Sequence, residues 1–404
     1  MNRPHVLISG AGIAGPALAL CLDRFGFAVT VVERAPDLRE GGQAVDFRGP
    51  VHRAVLERLD LWAPIHAHRT RASAVVLLDP AARPRVTLPA VMTAGDVEIL
   101  RGDLVRILYE RTRQAVDYRF GDRITGVEAR GDAVAVEFER GAPATFDMVI
   151  GADGLHSNVR ALVFGDESCF LRHHGYRIAT FALPNVLDGA REAQIFSVPG
   201  RAVGVFPTSP EGARALLIHA GGPLTRAERR DSGELKRSLR QTFAGMSWVV
   251  PRVLDALDRA PDLYVDGIAT VHVESYSKGR VALLGDAAYG GTLGGQGTSL
   301  AIVGAYVLAG ELARAGDPGA AFARYESMLR PYATGCQTGA RRAGSFFAPR
   351  TGAGLWLRNT LYGVLTGPRL VGFFERLVKD AATDFVLPEY AVGWAPGRQA
   401  LVSS

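Results

Sequence analysis

The first thirty-three residues restrict the fold more than any other stretch. "HVLIS" (5–9) is a short apolar run of strand type, "GAGIAG" (10–15) follows, and "PALALCLDRFG" (16–26) has the apolar pattern of a helix. Pro16 suits a first helical turn, where a missing N–H costs little, and Gly26 suits a helix end. "FAVTVVE" (27–33) is a second β-branched run, closing on Glu33. Strand, glycine turn, helix, strand and terminal acid form the plan of a dinucleotide-binding unit. Gly10 permits the tight turn. Gly12 lets backbone N–H groups approach a pyrophosphate, with Ala14 in the same turn. Gly15 lets the helix pack closely on the sheet. The helix N-terminus adds partial positive charge and unpaired donors. Glu33 can accept hydrogen bonds from a ribose diol and would repel a 2′-phosphate. The turn therefore favours FAD or NAD over NADP.

A dehydrogenase would continue with alternating strands and helices, and this chain does not. "REGGQAVDFRG" (39–49) leads into a helical stretch to about Leu61, and an alternating segment spans 73–88. "EILRGDLVRILYERT" (98–112) reads as a short extended entry and a helix. "ATFDMVIGADGLHSNVRALVFG" (144–165) contains a buried strand, with Asp153 just past its end. Gly154 supplies a turn there, and Ser157 or Asn158 can cap the next helix. Between 170 and 275, strand-like runs such as "RIATFAL" and "AVGVFP" suggest an antiparallel layer. The chain then returns to "RVALLGDAAYGGTLGGQGTS" (280–299). Six of the fifteen residues 285–299 are glycine, and Asp286 is their one charged side chain.

Composition narrows the function. A length of 404 residues suits two or three packed domains, and 48% hydrophobic with 22% charged residues is ordinary for a soluble globular chain. The net charge of +5 comes with no block of like charges and no basic stripe, which argues against nucleic acid. Cys21, Cys169 and Cys336 are odd in number and far apart. They make no metal spacing and no disulfide framework, so a reducing cytoplasm is expected. Glycines and Pro16 interrupt the N-terminal apolar run, which argues against reading it as a signal peptide. The apolar segment 300–310 reads as too short to cross a bilayer, so no membrane is expected.

Three separated motifs, "GAGIAG" at 10–15, "GADGLHSNVR" at 151–160 and "LLGDAA" at 283–288, carry a specific resemblance. In order and spacing the chain resembles the group A flavoprotein monooxygenases, the para-hydroxybenzoate hydroxylase fold family. In size and style it is most similar to the tetracycline-modifying and aromatic-polyketide hydroxylases of that group. The resemblance implies an α/β protein: a Rossmann-like FAD-binding domain, a mixed-sheet substrate domain and a C-terminal helical segment. The FAD domain is expected at 1–73, 97–168 and 276–330, and the substrate layer at 74–96 and 169–275. The C-terminal helices and tail take 331–404, broken at Gly367–Pro368.

By the same resemblance, Gly10, Gly12 and Gly15 cradle the pyrophosphate of a non-covalent FAD, and Glu33 holds its adenosine ribose. Arg34 flanks the adenine or is a solvated surface arginine. Arg101 reaches the ribityl–phosphate region or pairs with Asp103. Arg48 meets a phosphate or the nicotinamide, or pairs with Asp46 or Glu40. Asp153 is linked to FAD and NAD(P)H binding, and Arg160 braces the structure. Asp286 binds the ribityl hydroxyls or lies near the pyrophosphate. Gly295, Gly297 and Thr298 bring bare backbone and a helix N-terminus to the flavin ring.

The implied reaction uses NADPH or NADH and O2, and passes through a C4a-hydroperoxyflavin to hydroxylate an aromatic or polycyclic small molecule. Antibiotic biosynthesis or modification is the implied setting, for a monomer or homodimer. Dehydrogenation, Baeyer–Villiger oxygen insertion or halogenation on the same fold is the alternative, and a non-catalytic FAD-binding protein a further one. The four tryptophans are isolated, which disfavours halogenation. His173, His174, Tyr176 and His219 fall in the substrate layer, and none is assigned as a catalytic base. The chain departs from the family at its third motif. Relatives read "GDAAH", one or two prolines, then "G-x-G-x-N". Here Tyr289 replaces the histidine, Thr292 and Leu293 occupy the proline region, and Ser299 stands near the asparagine position. Without proline, the loop is expected to be less pre-organised.

Overall fold

The computed structural model describes residues 3–39, 41–70, 74–90, 95–225, 227–293, 297–367, 370 and 385–390. The opening apolar run forms the strand His5–Ser9, whose Val6, Leu7 and Ile8 have no exposed surface. Burial on both faces is what a near-continuous apolar strand demands, and a parallel sheet supplies it. His5–Ser9 pairs in parallel with Ala28–Glu33 on one side and Met148–Gly151 on the other. Val281–Leu283 extends the sheet beyond Met148–Gly151, and Asp117–Phe120 extends it beyond Ala28–Glu33, both in parallel. Ser277–Lys278 adds an antiparallel edge. This strand order places the ends of four distant segments side by side. The glycine turn, Glu33, the second motif and the third motif therefore meet along one edge, where open α/β sheets bind their ligands.

Two glycines make the first turn possible. Gly10 has φ of +108°, and a Cβ there would lie 2.6 Å from the Ala152 oxygen. At Gly15 a Cβ would lie 1.9 Å from the Gly10 oxygen. The helix Ala14–Arg24 can then press on the sheet, and it packs against the helix Gly297–Ala315. By length and composition that second helix could cross a bilayer, contrary to the reading of 300–310 as too short. It is mostly buried, with the helix Pro318–Phe347 also packed on it. Its apolarity is that of a core helix.

The second layer is a seven-stranded sheet in the order Tyr264–Val271, Leu171–Pro184, Gly212–Ala220, Arg201–Pro207, Ala193–Val198, Val75–Leu78, Pro84–Leu88. It is mixed rather than antiparallel throughout, because Ala193–Val198 and Val75–Leu78 run parallel. One face buries Phe181, Phe196 and Leu217 against the helices Ser232–Phe243 and Val250–Arg259. Ile178, Leu216 and Ile268 belong to the other face. The helix Pro318–Phe347 is continuous through Pro331, so residue 331 lies inside one element. From that helix Gln337 donates to the Val271 oxygen (2.6 Å) and the Tyr289 oxygen (3.1 Å), joining the two layers.

A charged bridge joins them again. His156, just after Met148–Gly151, lies 2.8 Å from Asp266 of the second sheet and 2.8 Å from Glu167. Burial alone would lower the His156 pKa, but hydrogen bonds to Asp266 and Glu167, and their charges, push it up to about 9. Burial would raise both carboxylates, and the His156 contacts instead hold them below their usual range.

Two stability outcomes follow from this packing. Gly15→Ala is expected to cost about 1–3 kcal/mol in urea unfolding. Gly222→Ala, with open space around it, should stay within about 0.5 kcal/mol. His156→Ala strands Asp266, whose side chain is 5% exposed, without its cation, at a cost of about 3–5 kcal/mol. The histidine's share is fully present below about pH 6.5 and disappears as pH rises through about 9. The carboxylates' share disappears as pH falls through their lowered pKa values. A stability difference between wild type and variant that ignores pH would remove the bridge.

Candidate active site

Along the shared edge runs a cleft of about 1740 Å³, walled by the first sheet's loops on one side and the second sheet on the other. Gly10, Gly12, Ala14, Glu33 and Arg34 line one end. A Cβ on Gly12 would meet only the Arg101 guanidinium, at 3.5 Å, so the backbone there opens to the cleft. Among the described residues no side chain caps the helix Ala14–Arg24. Its first-turn donors are left for a ligand, as an anion site requires. The Glu33 carboxylate accepts from Ala11 N (2.9 Å) and Ala35 N (2.8 Å), which fixes it at the mouth of the turn with acceptor capacity to spare. Gly15 is packed behind this surface and does not line it.

Arg101, Asp286, Gly297 and Thr298 line the middle of the cleft. Among the described residues the Arg101 side chain has no hydrogen bond or ion pair. Asp103 pairs with Arg106 instead (2.5 Å). Gly285, at φ of +65°, turns the chain so that Asp286 opens a short helical turn facing the cleft. Surrounding protein raises the Asp286 pKa, and the Arg101 charge opposes this. The carboxylate is nonetheless accessible from the cleft, so the raising effect is greatest when a ligand excludes water. Arg48 is not part of the cleft lining: its side chain is turned to Asp46 at 3.1 Å. Gly295 lies outside the described residues.

Asp153 lines the cleft, yet its carboxylate is largely occupied. It accepts from Asn158 N (2.8 Å), Val159 N (3.0 Å), Ser9 Oγ (3.3 Å) and Ser157 Oγ. Burial raises its pKa in spite of these bonds. Ser157 caps the helix Asn158–Val163 through Arg160 N. The guanidinium of Arg160 is fully buried and donates to Ala287 O (2.9 Å) and Leu155 O (2.7 Å).

The first residues of the proline-free loop are bonded to the facing sheet, and residues 294–296 lie outside the described residues. Gly290 O accepts from Val271 N (2.9 Å), and Thr292 N donates to Ala269 O (3.0 Å). Thr292 Oγ1 lies 3.3 Å from Gly267 O. Hydrogen bonds to the strand Tyr264–Val271 thus hold residues 290–292. Tyr289 is buried, and Gly304 makes room for it: a Cβ at Gly304 would lie 2.3 Å from its hydroxyl.

Of the four substrate-layer candidates, only His173 lines the cleft, and burial lowers its pKa. His174 bonds Thr270 at 3.0 Å, His219 bonds Ala220 O at 3.0 Å, and Tyr176 is buried against Gly344. Sequence reasoning did not single out the His156, Glu167 and Asp266 bridge or Tyr264, all of which line the cleft. The only available signal was His156 inside "GADGLH".

The comparisons with known proteins agree with this geometry. The profile of the family described as FAD binding domain matches residues 3–336. A flavin-dependent monooxygenase of Legionella longbeachae is 36% identical over 334 residues, spanning 81% of this chain and 85% of its own. An uncharacterised Mycobacterium tuberculosis protein is 42% identical over 320 residues, spanning 77% and 86%. The crystal structure of tetracycline destructase Tet(55) superposes with a TM-score of 0.80 at 33% identity, over 96% of this chain and 99% of that one. With the strand edge, the uncapped glycine turn and Glu33 in place, this chain belongs to the FAD-binding, flavin-dependent monooxygenase family of oxidoreductases.

Proposed function

We propose that this flavoprotein is an NAD(P)H-dependent monooxygenase that hydroxylates an aromatic or polyketide-type small molecule. The observation that carries the reading is the two-walled cleft. Its volume of about 1740 Å³ exceeds the roughly 300–1,000 Å³ that one drug-sized ligand fills. It therefore has room for a second, sizeable molecule beside a dinucleotide. The wall opposite the glycine turn includes Val75, Ile178, Ala193, Phe206 and Leu216, an apolar surface suited to flat rings. Two tetracycline destructases, Tet(51) and Tet(55), are similar to this chain over 96% of its length at 32% and 33% identity, which supports a polycyclic substrate.

The residues present fit FAD. Backbone donors around Gly12 and the Arg101 charge suit its pyrophosphate, Glu33 suits a ribose diol, and Asp286 suits hydroxyl donors. When bound, FAD supplies electron acceptance from NAD(P)H and the activation of O2. The chain's own work is to hold, orient and enclose. The Gly290–Thr292 segment closes one side of the cleft against the strand Tyr264–Val271. No side chain is assigned as a base.

Glu33→Arg should weaken FAD binding by at least roughly tenfold, about 1.4 kcal/mol, in fluorescence titration of the apoprotein. Unchanged affinity would remove Glu33 from the site. Incubated with NADPH, labelled O2 and polycyclic phenols, the enzyme should place one labelled oxygen atom in its product. NADPH consumption should rise with the right substrate. Stoichiometric peroxide with every substrate tried, and no oxygenated product, would overturn the assignment.

A further inference from the structure

The strand Tyr264–Val271 is buried along its length except at its first residue. Tyr264 is 46% exposed and lines the cleft. It pairs with Thr180 on the neighbouring strand, and the charges of Asp286 and Arg101 act on its phenol. It therefore faces the cleft within reach of the charges of two candidate cofactor-binding residues.

The hydrogen-bond partners fix the polarity of this phenol. Its oxygen is 2.9 Å from Asp266 Oδ2, and that same oxygen is 2.8 Å from His156 Nε2. His156 Nδ1 is 2.8 Å from Glu167 Oε2. Carboxylate oxygens only accept, so an imidazole held between two of them carries a proton on each nitrogen. Asp266 Oδ1 in turn accepts from Gly267 N at 2.7 Å. With Asp266 accepting on every side, Tyr264 can join the chain only as a donor. Its single hydrogen is committed inward, and the phenol oxygen is left able only to accept from the cleft.

We propose that Tyr264 is a polarity filter: it accepts a hydrogen bond from an O–H or N–H of a ligand in the cleft and rejects groups that offer only lone pairs. Asp266 and His156 act through it as positioning residues. A hydroxyl is the shared chemistry, and it has two sources: a ring hydroxyl of the substrate or a ribityl hydroxyl of FAD. The substrate arm rests on the reading of the cleft as a substrate site. An acceptor-only group would set lone pair against lone pair and leave the phenol oxygen desolvated and unpaired. Sites built on such pairing discriminate far more strongly than apolar fit does.

The test uses binding without turnover, so failure of the proposed reaction does not bear on it. Oxidised holoenzyme, without NAD(P)H, is titrated with 1-naphthol and with 1-methoxynaphthalene by perturbation of the flavin spectrum. FAD affinity of the apoprotein is measured separately. Wild type should favour the naphthol by roughly tenfold or more. Tyr264→Phe should bring that ratio towards one. In Asp266→Asn, an amide N–H facing the phenol oxygen frees the phenol hydrogen for the cleft, so the ether should bind more tightly than it does to wild type and the ratio should fall towards one, because the naphthol hydroxyl can accept as well as donate. A merely structural role would not tighten binding of the ether. If the filter serves FAD, the ratio stays fixed and Tyr264→Phe weakens FAD affinity by about fivefold or more. No response to either naphthalene, or an unchanged ratio in both variants, together with unchanged FAD affinity, overturns the proposal.

Discussion

Arg160 carries a guanidinium with no exposed surface, and the geometry of the cleft edge depends on how that charge is met. Burying an ion costs several kcal/mol unless its donors find partners. Nη1 and Nη2 find Ala287 O and Leu155 O, with Glu167 3.9 Å away. Those two carbonyls belong to the loops that end adjacent parallel strands. Moving either loop would strand the charge, so their spacing is set. Glu167 extends the constraint, because it also holds His156 and Arg229. One buried cation and one half-buried imidazole thereby tie the cofactor edge to the facing sheet.

Local chemistry was the legible part of the sequence. The first turn could be read because its glycine spacing lies within six residues and one of its contacts, Gly15 against Gly10, is local too, although Gly10 itself answers Ala152. The second and third motifs were readable as strand ends for the same reason. The roles of Asp153 and Arg160 were less so: one accepts from three groups of its own loop and from Ser9, 144 residues away, and the other crosses to Ala287, 127 residues away. The His156–Asp266 contact spans 110 residues, and nothing near "YVDG" announces it. Arg48 shows the converse. Its sequence neighbourhood admits both a ligand contact and an ion pair, and only the fold turns it to Asp46.

The segment after Asp286 shows what the fold adds where relatives carry proline. Loss of proline removes a φ restraint, and taken alone that implies freedom. The strand beside the loop offers exposed backbone groups, and Gly290 and Thr292 use them. Tyr289 fits the same logic, since its bulk is admitted by the missing side chain of Gly304.

The strand order of the first sheet also governs how the molecule is made. Met148–Gly151 needs Val281–Leu283 as its neighbour, and that partner is encoded roughly 130 residues later. At ribosomal rates of about 5–20 residues per second, the gap lasts on the order of ten seconds. During that interval His5–Ser9, Ala28–Glu33 and Met148–Gly151 have an open flank of backbone donors and acceptors. The strands from Leu171 to Val271 emerge meanwhile, and they too are sticky until the helices that cover them arrive. Nascent chains of this topology therefore present unpaired edges on both layers at once, and their yield in a cell depends on chaperone cover over that window as much as on the stability of the finished fold.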